Sequence, residues 1–412
     1  MTKPCVLFGH NLVVLLMTIS LLGVFPLDVI LPSFPALAEN FDVSLKSIAF
    51  SVSTFAIGVA ISQAIIGPLS DVVGRKPLLI GGLAVSVVGS LGCVFSNGYE
   101  GFMIFRLIQA AGCGSFVLSQ VLVQDVYPEK KQHVLRVVML TLSGLLISLS
   151  PLVGAVLQHY LGWEGSFYIF SVLAVVALLL SLLVLPDKPV QSVRGGMLVN
   201  LGKLVADRGF LVGCALCSLA FSCHFVFIVV SPLLLIGVLG LDEFMFGVVF
   251  VGYGLAYVIG GLVARKLADI LPLHTQIGFG LAMIGFAGLV LFVWLLVEEL
   301  SVSSLMVPVA IGTIGVAIIR PSATSYALRR HSERAGVATS TINVLLFASG
   351  GVVSTLIASI ENGLPSVLAS VFTASSLVGV WLLHFLKSGE RSGGGAYVRV
   401  THMGYIKVHS HR

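Results

Sequence analysis

Long apolar runs alternate with short polar breaks along almost the whole chain. The runs reach the roughly 20 residues that a helix needs to cross a bilayer. The pattern predicts six spans at about 11–34, 48–69, 77–96, 101–123, 136–158 and 165–185. Six more follow at about 210–237, 245–267, 275–297, 303–327, 335–359 and 365–387. The stretch from Pro186 to Gly209 is the longest internal break and carries Lys188, Arg194, Lys203 and Arg208. The predicted fold class is therefore an all-α membrane protein with 12 transmembrane helices in two pseudo-symmetric six-helix bundles. The expected units are an N-terminal bundle over 1–187, a cytoplasmic linker over 188–209, a C-terminal bundle over 210–387 and a disordered cytoplasmic tail over 388–412. The first run is too long for the core of a signal peptide and lacks a small-residue cleavage site, so it counts as a span.

Composition supports the same reading. Of 412 residues, 57% are hydrophobic and 10% charged, with a mean hydropathy of +1.07. A soluble domain carries about 25% charged residues, so this chain must meet lipid over much of its surface. The net charge of +5 does not mark a nucleic-acid partner, because the basic residues are spread over short loops without interleaved aromatics. All of the 23 Lys and Arg except Lys46, Arg106 and Arg320 fall in alternate loops and the termini. The opposite loops carry Glu39, Asp42, Glu100, Glu164, Asp242, Glu243, Glu298, Glu299 and Glu361. That bias predicts that both termini are cytoplasmic. Cys214 and Cys217 form a Cys-x-x-Cys pair without a strand–helix context, which points to helix packing; no disulfide and no metal site is expected.

The densest polar cluster between two spans is Gly67-Pro68-Leu69-Ser70-Asp71-Val72-Val73-Gly74-Arg75-Lys76-Pro77. Read as a loop, it must turn sharply, which glycine permits. It resembles the signature loop between helices 2 and 3 of the major facilitator superfamily. In the fifth span, Gly144, Pro151 and Gly154 resemble that family's antiporter motif, with Ser150 and Ala155 where glycines are usual. Gly162-Trp163-Glu164-Gly165-Ser166-Phe167 resembles the turn after helix 5 in the drug exporters, with Glu164 replacing an arginine. Gly260-Gly261-Leu262-Val263-Ala264-Arg265-Lys266 reads as a worn second copy of the signature. The resemblance implies a latch of Gly67, Asp71, Gly74 and Arg75 with Asp125, at the cytoplasmic end of the fourth span; the alternative is a set of solvated loop charges.

Charged residues inside the spans are the candidate chemistry. An arginine at the bilayer centre costs at least about 3 kcal/mol, so Arg106 is paired, hydrated or useful, or it snorkels to the outer interface. Arg106-Leu107-Ile108-Gln109-Ala110 resembles the superfamily's helix-4 motif, whose arginine is tied to proton coupling. Asp28, between Pro26 and Pro32, is the one acid well inside a span. The first span runs outward and the fourth inward, which puts Asp28 and Arg106 at similar depth and suggests a pair or a competition for one proton. Burial works against a charged carboxylate and a nearby arginine works for it. Leu27-Asp28-Val29-Ile30-Leu31-Pro32 resembles helix 1 of the bicyclomycin/chloramphenicol-resistance type of drug:proton antiporter; the plainer alternative is a residue that bends or caps that helix. His224 and Arg320 are the polar groups of the second half. His224 is either a packing histidine or a cavity residue, and Arg320 is functional, paired or snorkelling inward.

The expected function is proton-coupled export of small organic molecules such as drugs by alternating access, with Asp28 and Arg106 coupling the proton. Asp28, Arg106, Gln109, His224 and Arg320 would line the cavity. Two intramembrane arginines against one aspartate suggest anionic or carboxylate cargo. A dedicated exporter of one metabolite, such as a carboxylate siderophore, shares this scaffold. The proton is the coupling ion and no cofactor is implied. The expected setting is a monomer in the lipid of a bacterial inner membrane. There is no Ser-His-Asp set, no His-x-x-x-His and no Walker-type loop, which speaks against an enzyme and against ATP as the energy source.

Overall fold

Lipid offers no hydrogen bonds to an open backbone, so every spanning segment must satisfy its own amides. The computed structural model accordingly shows helices and their connections over the residues it describes, 4–127, 129–185, 202–329, 331, 335–360 and 363–392, with backbone alone at 4–10, 71, 124, 125, 129–134, 136–138, 140–143, 145, 335, 336 and 385–392. Most of the expected linker and residues 393–412 of the expected tail lie outside these.

Helix 1 is built from Pro4–Leu22, Phe25–Asp28, the 3-10 turn Leu31–Ser33 and Phe34–Asn40. Helix 2 is Leu45–Val73 and helix 3 is Arg75–Val94. Helix 4 joins Tyr99–Cys113, a 3-10 turn Gly114–Val117 and Leu118–Val126. Helix 5 is Glu129–Leu161 and helix 6 is Glu164–Val184. Helix 7 is Arg208–Pro232, continued by a π turn Leu233–Val238. Helices 8 to 12 are Glu243–Ile270, Leu273–Val297, Val302–Leu328, Ala335–Ala358 and Leu364–Ser392. Among the described residues, 11 of the twelve are long and apolar enough to cross a bilayer; the fully described apolar part of helix 5 is Leu146–Leu161.

The packing repeats with an interval of six helices. Helix 3 packs on helices 4 and 6, as helix 9 packs on helices 10 and 12. Helix 2 lies on helix 4 as helix 8 lies on helix 10, and helix 1 on helix 5 as helix 7 on helix 11. The two bundles meet through helices 2 and 11 and through helices 5 and 8, pairs that exchange under the same two-fold. One end of the molecule carries Arg75, Lys76, Arg208, Arg265 and Lys266 and is here called the basic face; the other is the acidic face. At the acidic face Lys46 Nζ donates to the Ile360 carbonyl across the two bundles at 2.9 Å. Farther in, the Ser53 and Ser354 hydroxyls bond at 2.8 Å. Ser148 packs directly on Gly254 and Leu152 on Gly247.

Two sequence expectations change. The stretch 67–77 is not an extended loop: helix 2 runs through Pro68 to Val73 and helix 3 starts at Arg75. The whole reversal falls on Gly74, whose φ of 98° favours glycine. Pro68 is accommodated because one missing donor does not break a helix held by its neighbours. Helix 12 continues to Ser392, past the expected end at 387.

The start of helix 7 is tied to the end of helix 10. Asp207 Oδ1 accepts from the N–H groups of Gly209 (2.8 Å) and Phe210 (3.4 Å), and Oδ2 lies 2.9 Å from His331 Nε2. Partial burial works to raise its pKa, but the bonds from His331 and the two amides prevail and hold the carboxyl below its ordinary range. Its folded pKa is depressed, so the stabilisation is present at neutral pH and is lost as pH falls through that lowered range. Asp207→Ala should cost about 1 kcal/mol at pH 7, and the gap from the native protein should shrink on strong acidification; thermal melts across pH check this. A second test concerns close packing. A Cβ on Gly154 would fall on the Val29 carbonyl oxygen, whereas one on Gly81 meets nothing within 4 Å. Gly154→Ala should destabilise by about 1–3 kcal/mol, and Gly81→Ala should be neutral or stabilise by up to about 1 kcal/mol, read in the same melts.

Candidate functional site

Pro26, Pro32 and Pro35 each remove a backbone donor from helix 1. The helix breaks between them, and its freed carbonyls turn to neighbouring helices. Arg106 Nη2 reaches the Pro26 carbonyl at 3.4 Å. Ser166 Oγ, on helix 6, reaches the Val29 carbonyl at 3.4 Å. Helix 5 presses on the same carbonyl at Gly154, three residues after Pro151. Gly154, from the stretch that resembles the antiporter motif, thus seats the break of helix 1.

Asp28 ends the short segment Phe25–Asp28 and is 1% exposed. Its Oδ2 has no hydrogen-bond partner. Asp28 interacts electrostatically with Tyr253 on helix 8, so the acid stands near the seam between the bundles. Arg106 is equally buried, but its contacts lie within the first bundle. Nη1 donates to Gln109 Oε1 at 2.7 Å, one turn along helix 4. The guanidinium lies 4.2 Å from the ring centroid of Phe55 and 5.8 Å from that of Phe167. Among the described residues it makes no ion pair. The expected Asp28–Arg106 pair is therefore corrected: similar depth does not bring the groups together, because the helix-1 break offers the arginine a backbone carbonyl instead.

The second bundle holds a separate polar cluster. His224 Nδ1 and the Tyr253 hydroxyl share a hydrogen bond, and their rings stack at 5.7 Å. The His224 ring also lies 5.5 Å from that of Tyr257. Arg320 Nη1 donates to the Tyr257 hydroxyl at 2.9 Å, and its guanidinium sits 5.2 Å from the centroid of Phe221. His224 and Tyr253 are buried, while Arg320 is partly exposed. His224 is thus a bonded member of a cluster, and Arg320 is held by Tyr257 and Phe221. The five expected cavity residues divide into an Arg106–Gln109 group inside the first bundle and a His224–Arg320 group in the second, with Asp28 between. Tyr253 and Tyr257 were missed. Their spacing of four puts them on one helix face, and two hydroxyls on one face of an apolar span was the available signal.

The remaining candidates are simpler. Gly144 is buried opposite Tyr257. Cys217 Sγ contacts the Arg320 carbonyl at 3.4 Å and Thr324 Oγ1 at 3.1 Å, which ties helices 7 and 10. Gly67 lies within helix 2, where its carbonyl accepts from Ser70 Oγ. Arg75 reaches the Ser70 carbonyl at 3.5 Å. The side chains of Asp71 and Asp125 lie outside the described residues.

Comparison with known proteins agrees with this architecture. The family model described as Major Facilitator Superfamily matches residues 14–355. A "Bicyclomycin resistance protein homolog" of Haemophilus influenzae is 26% identical over 92% of this chain and 96% of its own. A "Chloramphenicol resistance protein" of Pseudomonas aeruginosa is 26% identical over 92% of each chain. "Multidrug resistance protein MdtM" of Escherichia coli O157:H7 is 26% identical over 77% of this chain and 79% of its own. In fold, the crystal structure of a D-xylose-proton symporter superposes with a TM-score of 0.71 at 16% identity, over 91% of this chain and 97% of that one. With its two exchanging six-helix bundles and a family match over most of its length, the chain belongs to the Major Facilitator Superfamily and is a multi-pass membrane transporter rather than an enzyme.

Proposed function

We propose that this transporter exports small organic molecules such as drugs in exchange for protons, by alternating access. One observation carries the reading: Asp28 is buried at the break of helix 1, near the seam between the bundles, with Oδ2 unpartnered. A buried carboxylate without a partner costs several kcal/mol, so this geometry suits the neutral acid. The printed names of the relatives, which speak of resistance to bicyclomycin, chloramphenicol and multiple drugs, support export of such compounds.

In this reading the basic face is cytoplasmic and the protein works as a monomer in a bacterial inner membrane. The contacts of Lys46 with Ile360 and of Ser53 with Ser354 close the outer side. The acid has taken its proton from outside and releases it inward. Cargo then enters beside the vacated carboxylate, against a wall of His224, Tyr253, Tyr257, Arg320 and Phe221. Hydroxyls, one cation and aromatic faces suit planar aromatic cargo with hydrogen-bond-accepting or anionic groups. That wall equally suits a carboxylate-bearing metabolite, so a cargo panel should contain both classes. Gly67, Asp71, Gly74, Arg75 and Asp125 are assigned the latch that holds the alternate, outward-open state.

Purified protein in proteoliposomes with an imposed pH gradient tests this. The native protein should move cargo uphill against the direction of proton flow. Asp28→Asn should fold, with a melting temperature close to native, and lose uphill transport by about 100-fold or more. Uphill transport by Asp28→Asn at the native rate would refute the assignment of Asp28 as proton carrier.

A further inference from the structure

Arg320 lies in the second half of helix 10. Partners on two other helices, Tyr257 on helix 8 and Phe221 on helix 7, hold its side chain. Tyr257 in turn stands opposite Gly144 of helix 5, where an added Cβ would come within 3.8 Å of its ring. The guanidinium therefore sits on the side of the second bundle that meets the first, not on the lipid side.

A count of donors and acceptors shows what this place lacks. A guanidinium has five N–H donors and no acceptor. Arg320 Nη1 gives a hydrogen bond to the Tyr257 hydroxyl, and among the described residues the other N–H groups of the guanidinium have no acceptor. The Tyr257 oxygen takes that bond, so its own proton points elsewhere, and no described residue accepts it. Both side chains are partly exposed, so these donors reach open space. His224, next to Tyr257, is bonded to the Tyr253 hydroxyl and brings no negative charge. Among the described residues Arg320 makes no ion pair, and the Phe221 ring compensates its charge only in part.

The other intramembrane arginine differs. Arg106 is 1% exposed and is enclosed by Phe55, Gln109 and the Pro26 carbonyl. Only Arg320 is open to a ligand. A cation within a span that is neither paired nor enclosed marks a functional position. Its forked N–H groups match the two oxygens of a carboxylate. A neutral carbonyl accepts from the same donors but leaves the charge uncompensated, and a cationic group is repelled.

We infer that Arg320 and Tyr257 form an anion subsite, which takes the carboxylate of a cargo molecule with an apolar, aromatic body. Arg320 grips the carboxylate and the Tyr257 hydroxyl adds a further donor. The partly exposed Phe347, edge-on to Phe221 at 5.5 Å, offers the apolar body a surface nearby. This assignment rests on the reading of the cleft as the cargo site and narrows its cargo to organic acids.

The test uses purified native protein and three probes of one shape: naphthoate, the neutral naphthamide and the cationic naphthylmethylammonium. Naphthoate should raise the melting temperature saturably, and the other two should not at the same concentration. Arg320→Gln should weaken the naphthoate midpoint by about tenfold or more, and Tyr257→Phe by about threefold. Arg320→Lys, which keeps the charge and loses the fork, should recover part of the affinity. Should the Arg320 variants fail to fold, the three probes on native protein and on Tyr257→Phe decide the matter. Equal stabilisation by acid and amide, a preference for the ammonium compound, or no response to naphthoate up to its solubility overturns the subsite and leaves Asp28 untouched. Uphill transport retained by Asp28→Asn refutes the proton carrier and leaves acid-selective binding at Arg320 standing.

Discussion

A helix that breaks inside a bilayer must find hydrogen bonds for its freed backbone, because the lipid provides none. Helix 1 meets that constraint with partners from helices 4 and 6: Arg106 on the Pro26 carbonyl and Ser166 on the Val29 carbonyl. Helix 5 approaches closely enough to support the same turn only because residue 154 has no side chain. The position of Asp28 follows from this arrangement. The prolines open the helix, three neighbours hold it open, and the acid at the end of the short segment is left buried beside the second bundle.

Polar groups are distributed unevenly between the halves, although the helices that carry them are related by two-fold packing. In the first bundle a cation is enclosed by aromatic rings, an amide and a backbone carbonyl. In the second, a histidine, two tyrosines and an arginine form a bonded cluster that reaches toward the basic face. A repeated scaffold thus carries two different chemistries, as the proposed exchange of a proton for an organic molecule would require.

The fold was largely legible in the sequence because spanning helices are written in long apolar runs, and the Lys and Arg bias kept their count in phase. Burial of Asp28, Arg106 and His224 was legible for the same reason: polar residues deep in such runs have nowhere else to go. The partners of Arg106 were not. Sequence places charges by depth, but it does not say which side of a broken helix each will face, and a backbone carbonyl competing for an arginine leaves no trace in residue type. Tyr253 and Tyr257 escaped notice because tyrosine is common in membrane helices and only the approach of His224 and Arg320 gives their hydroxyls meaning. Gly74 was seen as a turn residue, yet the continuation of helix 2 through Pro68 depends on tertiary support that local propensity ignores.

The Ser53–Ser354 contact has a mechanical consequence. Two neutral hydroxyls fasten opposite lobes, and a bond of this kind contributes on the order of 1 kcal/mol. Such a clasp lets go under ordinary thermal motion and closes again without trapping a stranded charge in grease. A door this lightly held has no preferred swing of its own, so which way it opens is decided by whatever sits in the room behind it.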